Sequence, residues 1–148
     1  MPSIPVQIGP QGPVVELYVG VSSARLTAIR SAGQPDPALE RVRLLIDTGA
    51  SNTNICTSVI QKFNMPPTGS VPVYTPSTGS TPFMMDQYDV NLYFTFTQIN
   101  TPAHVITTIP ITCTDFQAQG IHGLLGRDIL SKAGLSYHGE MNLCVLSF

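Results

Sequence analysis

Charged side chains are scarce in this sequence of 148 residues, where they make up only 11% of the chain, against about a quarter in typical globular proteins. The formal net charge is −2, from seven basic and nine acidic residues. Nucleic acids and anionic lipids are bound through clustered positive charge, so this balance predicts that neither is a partner. The hydrophobic fraction of 43% is close to average, and low charge without low hydrophobicity argues against intrinsic disorder.

Other features are missing as well. No apolar run approaches the roughly 20 residues that cross a bilayer, and residues 1–6 lack the basic start and apolar stretch of a secretory signal. The three cysteines, Cys56, Cys113 and Cys144, are odd in number and too scattered for a zinc site. We therefore expect a reduced, cytoplasmic chain with no membrane segment, metal or cofactor. Composition leaves open that the chain is part of a longer protein.

The residues that are abundant favour β-structure. Val, Ile, Thr, Phe and Tyr are frequent, and 12 glycines and 13 prolines interrupt them at short intervals, as in folds of many short strands. We predict one all-β domain over residues 1–148, with residues 31–38 as an exposed hairpin loop. Thr57 and Asp128 are the predicted N-caps of two short helices. The predicted strands are 14–21, 24–29, 41–46, 71–75, 83–97, 105–112, 121–125, 135–138 and 142–148, and the predicted helices are 56–63 and 128–133.

The segment over residues 44–51 carries the most chemical information. The apolar run 44–46 predicts a strand buried on both faces, and Asp47, Thr48 and Gly49 follow it directly. A carboxylate in such a place is costly unless it is paired or protonated. The alternative interpretation is that Asp47 only caps its own turn, which the tripeptide alone favours.

A second segment, residues 123–130, repeats two apolar residues and a glycine before a short helix. A glycine-containing hairpin around residues 77–79 lies between the two segments. In this order the three features resemble the retropepsin-like aspartic proteases, over roughly residues 14–148. The resemblance implies an all-β, closed, barrel-like fold with a flap hairpin, and an aspartic endopeptidase that cleaves extended polypeptides.

The peptide hydrolysis implied by this resemblance requires a pair of carboxylates. Two carboxylates close together cannot both ionise, so they share one proton. The ionised one takes a proton from water and the protonated one polarises the peptide carbonyl, without metal or covalent intermediate. This chain has a single Asp-Thr-Gly, so the second carboxylate must come from a second copy. A twofold homodimer that places Asp47 of each copy together supplies it.

The same resemblance assigns roles to the neighbouring residues. Thr48 would form hydrogen bonds across the dimer axis, and the Gly49 carbonyl would accept a hydrogen bond from the substrate backbone. Gly126 would pack beneath the catalytic loop. The implied substrate-binding residues are Ala50, Ser51 and Leu124 in the cleft, with Ser77, Thr78 and Gly79 closing over the peptide from the flap. Tyr74 and Phe83 flank the flap tip, and either could contact substrate or pack in the core.

Two features depart from the viral pattern. Many viral enzymes carry an acidic residue where Ser51 stands, and it pairs with the arginine of the later motif. Arg127 therefore needs another partner, either a backbone carbonyl or an acid elsewhere. The chain also continues through an additional strand over residues 142–148, which suggests dimerisation through a C-terminal hairpin.

Other interpretations remain at this stage. His104, His122 and His138 are too far apart in sequence to suggest a metal site, and Ser51 and Ser131 lack the Gly-x-Ser-x-Gly turn of serine hydrolases. The main rival to an enzyme is a non-catalytic dimerisation or peptide-binding module of the same fold. A more distant rival is an unrelated β-barrel or sandwich that binds a ligand at its loops.

Overall fold

The structure, a computed structural model, describes residues 2–96, 103–115 and 120–148. Strands dominate these residues, and the predicted all-β class is confirmed. The elements in chain order are β1 (Ser3–Gly9), β2 (Gly12–Val21), α1 (Ser23–Ser31), β3 (Glu40–Ile46), β4 (Asn54–Cys56), α2 (Thr57–Gln61), β5 (Gly69–Val73), β6 (Phe83–Phe94), β7 (His104–Thr114), β8 (Gly123–Leu125), α3 (Arg127–Leu130), β9 (Gly134–His138) and β10 (Leu143–Ser147). Thr97, the predicted end of the strand over residues 83–97, lies outside the described residues.

Six of the strands close into a barrel. Among the described residues the pairing runs β6–β7–β4–β8–β3–β2, and β2 pairs again with β6 to complete the ring. Alternate residues of β2 and β3 point inward, and Leu17, Val42 and Leu44 are fully buried. Burying each such side chain contributes roughly 1.5–3 kcal/mol. Leu45 is only half-buried, so the prediction that this apolar run is buried on both faces is wrong.

Three of the remaining strands, β1, β9 and β10, form a layer beside the barrel, whereas β5 pairs with β6. β9 and β10 form the predicted closing hairpin, and β1 pairs with β10 from Ser3↔Ser147 to Gln7↔Leu143. β1 is not among the predicted strands because Pro5 interrupts its alternation of buried Ile4 and Val6, and proline is uncommon within strands.

One predicted strand is a helix. Residues 24–29 belong to α1, because the Ser22 side chain accepts a hydrogen bond from the Arg25 N–H (3.3 Å) and caps the first turn. Leu26 and Ile29 of α1 pack against the core from outside. Residues 31–38 are mostly exposed, as predicted, but Ser31 ends α1 and the residues after it lead to β3, so they do not form a hairpin loop.

The two predicted helices exist, although both predicted caps are wrong. α2 begins at Thr57, and its N-cap is Cys56. α3 begins at Arg127 with Gly126 as N-cap, so Asp128 lies inside the first turn.

Within the described residues, no helix is both long enough and apolar enough to span a membrane.

Candidate active site

Asp47 lies at the end of β3, beside the end of β8. These strands run parallel, with Leu44 opposite Gly123 and Ile46 opposite Leu125, and the Asp47 N–H donates to the Leu125 carbonyl (3.0 Å). The Gly49 N–H donates to Asp47 Oδ1 (2.9 Å). The turn-capping interaction of the alternative interpretation is therefore present. It occupies one carboxylate oxygen, and no described residue donates to Oδ2.

Asp47 borders a cavity of about 480 Å³. The lining residues are Asp47, Gly49, Ala50, Ser51, Asn52, Asn54, Val73, Tyr74, Thr75, Pro76, Met85, Thr112, Thr114 and Leu124. Asp47 is the only acidic side chain among the described residues that line it. The structure thus brings together five residues that the sequence singled out, from the Asp47 loop and from β8.

The hairpin of β5 and β6 forms one side of this cavity. Its strands pair from Gly69↔Gln87 to Val73↔Phe83, and residues 73–76 of its first arm line the cavity. The predicted contacts Ser77, Thr78 and Gly79 lie at the hairpin tip, outside the lining. Thr78 Oγ1 accepts from the Thr75 N–H (2.8 Å) and so tightens the turn. Roles for the tip residues in substrate binding stay predictions.

The predicted aromatic neighbours of the tip behave differently from each other. Tyr74 lines the cavity although its side chain is largely exposed. Phe83 is also exposed, and it borders a separate cavity of about 340 Å³ with Cys113 and Asp115. Tyr74 is therefore the aromatic residue placed to meet a molecule bound beside Asp47.

A buried threonine holds the Asp47 loop against α3. Thr53 is completely buried, and its Oγ1 donates to Asp128 Oδ1 (2.7 Å) and accepts from the Gly126 N–H (3.1 Å). The Thr53 N–H donates to Asp128 Oδ2 (2.9 Å). Asp128 therefore anchors the loop, and its Oδ1 also accepts from the Ile129 N–H in the first turn of α3 (2.9 Å), although Gly126 occupies the N-cap position. The sequence contains no local sign of this pairing, because the two residues are 75 positions apart.

Two further contacts complete the support of the loop. Arg127 Nη1 donates to the Thr48 carbonyl (2.9 Å), so of its two predicted partners the backbone carbonyl is the correct one. A Cβ atom on Gly126 would lie 2.6 Å from the backbone of Asn52. This confirms that Gly126 packs beneath the loop. The Thr48 and Gly49 ends of the loop are exposed.

Replacing Thr53 by valine should weaken this support without changing side-chain size. The Gly126 N–H would lose its acceptor and Asp128 would lose a donor, and a buried group left without a partner costs about 1–3 kcal/mol. We expect the free energy of unfolding in urea to fall by roughly that amount. Thr53→Ser keeps the hydroxyl and is the control. If the serine variant were the less stable of the two, methyl packing and not the hydrogen bonds would explain the role of Thr53.

The cysteines are buried, and two of the histidines make contacts within the fold. All three cysteines are buried, and burial raises the pKa of the Cys113 thiol to about 12, which keeps it protonated at neutral pH. His122 Nδ1 accepts from the Arg43 N–H (2.9 Å), and His104 stacks on Phe148. Within the described part of the chain, no three potential ligands are grouped as a metal site would require.

A larger cavity of about 520 Å³ lies between β1 and β2. Its lining includes Gln11, Glu16 and Arg43, and none of the predicted site residues, all of which are described, contributes to it. The Asp47 cavity is therefore the one in which the predicted residues meet.

Similarity to a solved structure supports this fold. No family model matches the sequence, and no curated protein matches it. Among solved structures, the chain is similar to a retropepsin-like aspartic protease from Rickettsia conorii, with a TM-score of 0.58 and 14% sequence identity. The match covers 99% of this chain and 90% of that one. At this identity the likeness shows a shared fold, and the predicted retropepsin-like fold class is confirmed.

Proposed function

We propose that this protein is an aspartic endopeptidase that acts as a homodimer, in which Asp47 of each copy shares one proton and activates a water molecule. The observation that carries the proposal is the position of Asp47. Its carboxylate is held by the Gly49 N–H beside a cavity bordered by the β5–β6 hairpin, where no second acidic side chain of the described residues lies. Two copies supply the carboxylate pair that one copy lacks.

The proposed reaction follows from that pair. The ionised carboxylate takes a proton from the water, whose oxygen attacks the peptide carbonyl carbon while the protonated carboxyl transfers its proton to the carbonyl oxygen. A tetrahedral diol forms. It collapses as the C–N bond breaks: the nitrogen takes the proton that the first carboxylate removed from water, and the other carboxylate takes a proton from one diol hydroxyl. The products are a carboxylic acid and an amine, and the pair again holds one proton. The step requires neither metal nor cofactor.

The substrate would be an extended polypeptide. The Gly49 carbonyl and the backbone of Ser77, Thr78 and Gly79 would pair with it as a neighbouring strand does. Movement of the hairpin tip would bring those three residues over the bound chain. Thr48, at the exposed end of the loop, would meet its counterpart across the dimer axis.

A non-catalytic module is the second candidate. The hydrogen bonds of Gly49 to Asp47 and of Arg127 to Thr48 give the loop a purely structural use. Such a module would dimerise or bind peptides through the same cavity without cleaving them.

Digestion of a peptide library separates the two candidates. We expect cleavage with a bell-shaped pH profile and an acid-to-neutral optimum, because activity needs one proton on the carboxylate pair. A pepstatin-type inhibitor should reduce it, and specific activity should rise with protein concentration until sedimentation shows a complete dimer. A dimer that cleaves nothing at any pH would refute the endopeptidase and favour the module.

A further inference from the structure

One wall of the Asp47 cavity is polar. Asn54 of β4 is paired in register with Leu124 of β8 on one side and with Thr112 of β7 on the other. Residues in register present their side chains on the same face of a sheet, and all three border the cavity together with Asp47. Leu124 supplies an apolar surface, while Asn54 and Thr112 supply a polar one.

The polar side chains are buried and linked to each other. Asn54 and Thr112 are 7% and 6% exposed. Asn54 Nδ2 donates to Thr112 Oγ1 (2.8 Å), and Asn54 Oδ1 accepts from Thr114 Oγ1 (2.7 Å). This chain of hydrogen bonds fixes the Asn54 amide, because burying it without partners would be costly.

The network is not saturated. The second N–H of Asn54 faces only Met85 Sδ at 3.7 Å, and a thioether is a weak acceptor. Thr112 Oγ1 accepts from Asn54, and no acceptor for its own hydrogen lies among the described residues. The wall therefore keeps two donors that an oxygen atom entering the cavity can satisfy.

From this arrangement we infer that the Asn54–Thr112 wall is a specificity subsite that selects a substrate side chain carrying a hydrogen-bond acceptor: Asn, Gln, Ser or Thr. An apolar side chain of equal size would displace water and leave the donors unpaired, which is the situation that binding sites discriminate against most strongly. An acidic side chain is disfavoured because the Asp47 carboxylate borders the same cavity. The inference rests on the proposed function for the nature of the ligand.

The test is a comparison of matched peptides. Cleavage of a randomised library first shows at which substrate position a hydrogen-bond acceptor is preferred. Peptides with Asn or Leu at that position are then compared by kcat/KM. We expect the asparagine peptide to be preferred by about tenfold or more, since an unpaired buried polar group costs about 1–3 kcal/mol. Thr112→Val and Asn54→Leu should bring the ratio close to one. Thr112→Ser keeps the hydroxyl and should keep the preference, and Thr107→Val, the same change at an exposed site of β7, should not alter it.

A binding measurement keeps this inference separable from the proposed reaction. It compares how tightly the full chain binds non-cleavable, reduced-amide versions of the two peptides. Binding that favours asparagine without cleavage supports the subsite and refutes the endopeptidase. Cleavage with no preference at any position, or with a preference that survives Thr112→Val and Asn54→Leu in folded protein, overturns the subsite and keeps the endopeptidase. If neither peptide is bound or cleaved, both proposals are wrong.

Discussion

Replacing Asp47 by asparagine is expected to lower kcat/KM for peptide cleavage by roughly 10²–10⁴-fold, the range that a positioned general acid or base contributes. An amide cannot take a proton from water, and the change removes both carboxylates because each copy contributes the same residue. The fold should persist. The asparagine carbonyl oxygen can still accept the Gly49 N–H that Asp47 Oδ1 accepts now. Cleavage of a library-derived peptide measures the first effect, and thermal unfolding measures the second.

Asp86→Asn is the matched control for this prediction. Asp86 is exposed on β6 and does not line the Asp47 cavity, so the same chemical change there should leave cleavage within about twofold, as expected of surface substitutions away from such features. Mixing the Asp47→Asn protein in excess with the unmodified protein should also reduce activity, because exchanged dimers contain one carboxylate. Full activity in the Asp47→Asn variant would exclude the proposed mechanism.

The strand pattern was largely predictable because it is local. Alternating apolar residues in β2 and β3 mark the buried face in the sequence itself, and the structure follows them. α1 was mistaken for a strand because its apolar residues are few and half-buried, so it carries little helical periodicity, and the Ser22 cap decides its conformation. β1 depends on pairing with β10 at the opposite end of the chain, which no local pattern reveals.

The candidate site shows the same division between local and distant information. Asp47, Gly49, Ala50 and Ser51 line the cavity together because they are consecutive in the chain. Asn54 and Thr112 are 58 positions apart. They meet only because β4 runs parallel to β7, so the polar wall could not be predicted from the sequence.

A methyl group at Gly123 should destabilise the protein more than any other substitution proposed for it. A Cβ atom there would overlap the Asn54 carbonyl oxygen and lie 3.0 Å from Ile55 Cα, both backbone atoms of β4. Gly123 also has φ of +154°, which residues with a side chain rarely adopt. We expect Gly123→Ala to lower the free energy of unfolding by about 3 kcal/mol or more, or to prevent folding, because overpacking and backbone strain add.

The control for this last prediction is Gly69→Ala in β5, where an added Cβ meets no atom within 4 Å. The free energy of unfolding of this variant in urea should stay within about 0.5 kcal/mol of that of the unmodified protein, as is usual for substitutions at exposed sites. If the free energy of unfolding of Gly123→Ala equalled that of this control, β8 could not lie as close to β4 as the structure places it. Asn54, Leu124 and the end of β3 that carries Asp47 depend on that close packing. A tolerated alanine would therefore contradict the geometry of the whole cavity and not of one residue.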